Sequence, residues 1–139
     1  MSEIKPVPQP SAVARLAAIA QVSILIVGSL LPQKTKHAIG TQGLWHRPLH
    51  LILFATTAGA VRVAFSRRPV FTSMLLVTLA FLLESAEHLL YVNLFEWNDV
   101  EDDMIGMAIG LLLAGGWQWW SDRVVSRRES AERSFHVSP

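Results

Sequence analysis

His46 and His50 stand four residues apart, Glu84, Glu87 and His88 fall within five consecutive positions, and Asp99 and Asp103 again stand four apart. On a helix, spacings of three and four bring side chains onto one face. The groups offered are imidazole nitrogens and carboxylate oxygens, ligand types suited to zinc or manganese. Arg47, between the two histidines, adds a cation able to contact an anionic headgroup. Two chemistries follow. One is a ligand pocket drawn from Arg47, His50, Glu84, Glu87, Asp99 and Asp103. The other is a metal site, with His50, Glu84, His88 and Asp99 as donors. No cofactor is demanded by the sequence, and Glu-x-x-Glu-His is not a recognised zinc helix motif. Plainer readings stand beside these. Arg47 near a helix start is an ordinary headgroup anchor, and His46 reads as interfacial and idle. The run Glu101-Asp102-Asp103 reads in part as a solvated loop that favours a helix N-terminus.

The elements that must position these residues are long and apolar. The chain has 139 residues, 51% hydrophobic and 17% charged, against about 25% charged in an ordinary soluble domain. The apolar residues lie in four blocks with the charges between them, and a spanning helix needs about 20 residues. The expected fold is therefore an all-α integral membrane protein, a four-helix transmembrane bundle with helices at about 12–31, 45–65, 70–91 and 103–120. Residues 1–11, with three prolines, are expected to form a disordered tail. Residues 121–139 are expected to form a charged tail that extends the last helix into water. Pro32 ends the first helix, and Pro48 falls in the first turn of the second, where its missing N–H costs little. A signal peptide is the competing reading of the first block, but the block is long for one and no small-x-small cleavage site precedes Lys34.

Charge sets the orientation. With four spans, Lys5, Arg15, Arg62, Arg67, Arg68, Arg123, Arg127, Arg128 and Arg133 share one side and Lys34, Lys36 and Arg47 the other. The positive-inside rule places both termini in the cytoplasm, in a multi-pass arrangement. Trp45 and Trp97 fall at one expected boundary and Trp117, Trp119 and Trp120 at the other, as interfacial anchors do. This topology carries the polar residues to the outward face. Glu84, about 14 residues into its helix, lies about 21 Å along a span of about 30 Å. An ionisable group at that depth needs a partner, and Arg47, His50 and His88 are the candidates. Gly106 and Gly110 form a small-xxx-small pattern that serves close helix packing, within one bundle or in an oligomer.

There is no cysteine, hence no disulfide or thiolate site. A net charge of +1 gives no footprint for nucleic acid.

The order of motifs resembles the VanZ-like family of small bacterial membrane proteins. Leu31-Pro32 follows the first helix and His46-Arg47-x-x-His50 opens the second. Glu84-x-x-Glu87 lies in the third, and Asp99-x-x-x-Asp103-x-x-Gly106-x-x-x-Gly110 leads into the fourth. The family pattern has Leu-Pro, Asp-Lys-x-x-His, Glu-x-x-Gln and Asp-x-x-x-Asn-x-x-Gly-x-x-x-Gly. Here His46 replaces Asp, Glu87 replaces Gln and Asp103 replaces Asn. The likeness covers roughly residues 25 to 115. It implies an envelope protein, similar to one associated with teicoplanin resistance, with a preserved polar site and no assigned reaction. The leading expectation is an envelope factor in contact with membrane lipids, binding a lipid-linked or glycopeptide-like group. The alternatives are a membrane-embedded metal-dependent hydrolase and a small carrier using Glu84 as a proton relay.

Overall fold

The computed structural model describes residues 11–41, 43–65, 68–91 and 94–136, with side chains described as far as residue 128. The expected tail at 1–11 lies outside these apart from Ser11, and residues 137–139 lie outside them too. Among the described residues the chain is all helix: α1 (Ala12–Ser29), α2 (Gln33–Ala38), a 3-10 turn (Gly43–Trp45), α3 (His46–Ala64), α4 (Pro69–Tyr91) and α5 (Trp97–His136).

Local chemistry fixes the ends. The Ser11 hydroxyl accepts from the Ala14 amide and caps α1, satisfying one of the donors that a helix start leaves open. Pro32 stands at the N-cap of α2. Gly40 and Gly43 take φ of 72° and 73° between α2 and α3, a region that glycine enters without steric penalty. The expected open loop after Pro32 is thus corrected. Its first half is a helical turn that carries Lys36 inward, and Lys36 is buried.

α5 also departs from expectation. It begins at Trp97, not near residue 103, and continues to His136. At 1.5 Å per residue its 40 residues reach about 60 Å. Acidic side chains in a first turn are favoured by the helix dipole, so Asp99 suits the first turn of α5, where the sequence predicts a loop.

α1 and α4 are long and apolar enough to cross a membrane, with window hydropathies of 1.8 and 1.7. Only these two helices qualify among the described residues. α3 carries His46, Arg47, His50 and Arg62, and α5 opens with Asp99, Glu101, Asp102 and Asp103. Just 11% of the α1 window and 28% of the α4 window is buried.

The core is a seam between helices. Ala18 and Leu25 of α1, Phe54, Ala58, Val61 and Ala64 of α3, Leu76, Ala80 and Leu83 of α4, and Met107 of α5 form one buried cluster. α1 is therefore built into the bundle. The closest approach joins α3 and α5. A Cβ at Gly106 would run into the Leu51 carbonyl, and one at Gly110 into that of Ala55. The two glycines serve packing within one chain. Gln21 Nε2 donates to Thr56 Oγ1 at 2.8 Å, tying α1 to α3. Tyr91 Oη donates to the Leu30 carbonyl at 2.7 Å, where α1 ends.

Candidate functional site

Partner numbers rise together along α3 and α5: His46 with Asp99, Arg47 with Asp102, His50 with Asp103, Leu51 with Gly106, Ala55 with Gly110. The two helices therefore run parallel, and one seam is polar at its start and glycine-packed further in. On α5 the residues Asp99, Asp103, Gly106 and Gly110 recur at helical spacing and form a single face. The glycines bring the backbones together, and the carboxylates above them meet the histidines without reaching.

At the mouth of the seam His46 Nε2 lies 2.8 Å from Asp99 Oδ2. His50 Nδ1 lies 2.9 Å from Asp103 Oδ1, and its other nitrogen, Nε2, lies 3.9 Å from the same Asp99 Oδ2. The two imidazoles meet edge to face with centroids 4.7 Å apart. Asp99 and Asp103 are buried and both histidines are half-buried.

Arg47 grips Asp102 with two hydrogen bonds, Nε to Oδ2 at 2.6 Å and Nη2 to Oδ1 at 2.9 Å. The paired geometry is the strong, orienting one for arginine and carboxylate. The carboxylate side chain is 7% exposed and the arginine 64%, so the guanidinium covers Asp102 from the solvent side. A guanidinium has five N–H donors, and three of these are left by the Asp102 contacts.

The remaining polar groups form separate contacts. Lys36 Nζ donates to Glu87 Oε1 at 2.7 Å, joining α2 to α4 in a pair that is 6% and 14% exposed. Glu84 Oε1 accepts from the Glu96 backbone amide at 2.7 Å.

Several expectations are corrected here. Glu84 was expected to pair with Arg47, His50 or His88. It holds instead the backbone just ahead of α5. His88 is exposed, and neither it nor Glu84 belongs to the clustered donors. The donors that do converge are His46, His50 and Asp99, one ligand atom from each lying within 4.8 Å of the others. His46, read as idle, is thus central. Asp102, read as solvated, is buried against Arg47. Lys36 was not singled out. It stands beside Lys34 and His37 in a segment with no apolar period to indicate which way it points.

Two hollows adjoin this network. One, of about 90 Å³, is lined by Lys36, Thr41, His46 and His50 together with apolar residues such as Leu49 and Phe54. The other is an open groove of about 620 Å³ lined by Gly43, Leu44, Arg47, Pro48, Leu51, Ile52 and Asp102. Compared with protein-family models, with curated proteins and with solved structures, the chain matches none.

Proposed function

We propose that this chain is a multi-pass protein of a bacterial inner membrane. α1, α3, α4 and the first half of α5 are its four spans, and both termini are cytoplasmic. Its outward pole binds the anionic head of an amphiphile.

The observation that carries this reading is the division of the surface. Large apolar side chains point outward from every long helix, among them Leu16 at 66%, Val27 at 63%, Ile52 at 53%, Leu82 at 60% and Leu112 at 75% exposed. Soluble monomers rarely expose apolar surface on that scale. The paired acids and bases are gathered at one end of the bundle, and Arg15, Arg62, Arg68, Arg123, Arg127 and Arg128 lie toward the other. Trp117, Trp119 and Trp120 are exposed toward that second end. Arg123 stacks over Trp119 at 3.7 Å, in keeping with an interfacial belt.

The groove at Arg47 suits an amphiphile. Leu44, Pro48, Leu51 and Ile52 offer a wall for an acyl chain, and the free N–H groups of Arg47 stand at its edge. Binding sites commonly combine an apolar lining with a few placed polar groups. The VanZ-like reading supplies the class of ligand, a lipid-linked envelope precursor. It rests on the order of Leu31-Pro32, His50, Glu84, Asp99, Gly106 and Gly110 in the sequence.

The test is lipid retention by the full chain in nanodiscs, read by native mass spectrometry with anionic and zwitterionic lipids. Preferential retention of anionic lipid, reduced about tenfold in Arg47→Ala, supports the reading; tenfold corresponds to about 1.4 kcal/mol. Equal retention by wild type and variant overturns the role of Arg47. A chain that stays monomeric in buffer without detergent overturns the membrane assignment.

A further inference from the structure

We infer that His46, His50 and Asp99 form a divalent-metal site of the zinc class, with a coordination position left open toward the cavity lined by residues of α1, α2 and α3. The proposal goes beyond the amphiphile reading and can fail separately from it.

The distances carry it. A tetrahedral zinc with bonds of about 2.0–2.1 Å has ligand atoms about 3.3 Å apart. The two measured edges at Asp99 Oδ2 are 2.8 Å to His46 Nε2 and 3.9 Å to His50 Nε2. They bracket that value, and small rotations of the imidazoles would equalise them. One ligand atom from each of the three residues lies within 4.8 Å of the others. His46 and His50 project from one helix face at a spacing of four, so a rigid element sets their separation.

The surroundings match those of a metal ligand. His50 Nδ1 is engaged by Asp103 Oδ1 at 2.9 Å. That contact fixes the ring and leaves Nε2, the nitrogen facing Asp99, to coordinate. A carboxylate holding the far nitrogen of a histidine is the usual outer support of a metal-bound imidazole. Asp103 is thus a positioning residue. Three protein ligands leave one position of four, the arrangement of sites that bind a water or a substrate. His46 and His50 both line the 90 Å³ cavity, which would give that position access. The field also favours a cation. This end carries Glu84, Glu87, Glu96, Asp99, Glu101, Asp102 and Asp103 against Lys34, Lys36 and Arg47, and Lys36 and Arg47 are each matched by a carboxylate.

The experiment uses the full chain in detergent, stripped with chelator and then titrated with zinc alone and with cobalt alone. Calorimetry gives the stoichiometry, and the visible cobalt spectrum reports coordination geometry. The expected result is one ion per chain with a tetrahedral cobalt spectrum. Asp99→Asn and His50→Gln should each weaken binding about a hundredfold, and Asp103→Asn about ten- to a hundredfold. His88→Gln, outside the cluster, should bind as wild type. Failure of folded wild-type protein to take up either ion saturably overturns the site, as does an equal loss in His88→Gln. Asp99→Asn keeps a side-chain oxygen able to accept from His46. Should it nonetheless fail to fold, the wild-type stoichiometry and His50→Gln decide the matter.

Discussion

Gly110 of α5 lies against the backbone carbonyl of Ala55 on α3, with no room for a methyl group between them. One turn back along α5, Gly106 meets Leu51 in the same way. This contact sets the distance between two parallel helices, and that distance decides whether the carboxylates of α5 reach the histidines of α3. Because backbone is the obstacle at both positions, no side-chain rotation relieves it. Gly110→Ala and Gly106→Ala are each expected to destabilise the bundle by about 1–3 kcal/mol, the range for overpacking. Gly115→Ala, where a Cβ meets nothing, should be neutral or slightly stabilising. Thermal unfolding in one detergent checks all three, and equal effects at the three positions would refute the close-approach account.

Lys36 and Glu87 form a pair largely withdrawn from solvent. Removing one partner of such a pair strands a charge and costs about 3–5 kcal/mol, whereas replacing both costs far less. Lys36→Met and Glu87→Gln should therefore each destabilise strongly, and the double variant should recover most of the loss. A double-mutant cycle by denaturation reads the coupling directly. Additive single effects would mean that the pair contributes nothing as a pair.

How much of this was legible in the sequence follows from what repeats. Three of the four long helices were placed within two residues at each end, because long apolar blocks bounded by proline and charge carry a strong local signal. The early start of α5 was missed because Glu101, Asp102 and Asp103 look like loop residues until their partners on α3 are known. Yet Asp99, Asp103, Gly106 and Gly110 already share one helical face in the sequence, and that face is the seam. The convergence of His46 with Asp99 was hidden for a different reason. Hydrophobic periodicity gives the face of each helix but not which helices adjoin, and the pairing of α3 with α5 is a tertiary fact. The short α2 has no apolar repeat at all, so neither its helical form nor the inward turn of Lys36 was readable.

The orientation proposed for the membrane is open to a direct test because the chain has no cysteine. Lys34→Cys and Arg127→Cys introduce one thiol each, at opposite ends of the bundle and at exposed positions. In intact cells a membrane-impermeant maleimide is expected to modify the first variant only, and the second after permeabilisation. The reverse pattern would invert the topology. Modification of both only after permeabilisation would argue against a spanning arrangement.

Glu84 is the deepest of the acids on α4, and its one shown partner is the Glu96 amide at 2.7 Å. That amide lies one residue before α5, so the contact pins the incoming chain where Asp99 must be presented to His46. Glu84→Gln keeps an oxygen that can accept, and should leave the start of α5 in place. Glu84→Ala removes the acceptor from a part-buried donor, a loss of about 1–3 kcal/mol. Amide hydrogen exchange at Glu96 should then rise by about tenfold or more in Glu84→Ala, since tenfold corresponds to about 1.4 kcal/mol. The first turn of α5 should follow it while the seam at Gly106 and Gly110 stays protected. If exchange rose equally in Glu84→Gln, the carboxylate charge and not the hydrogen bond would be what holds the junction.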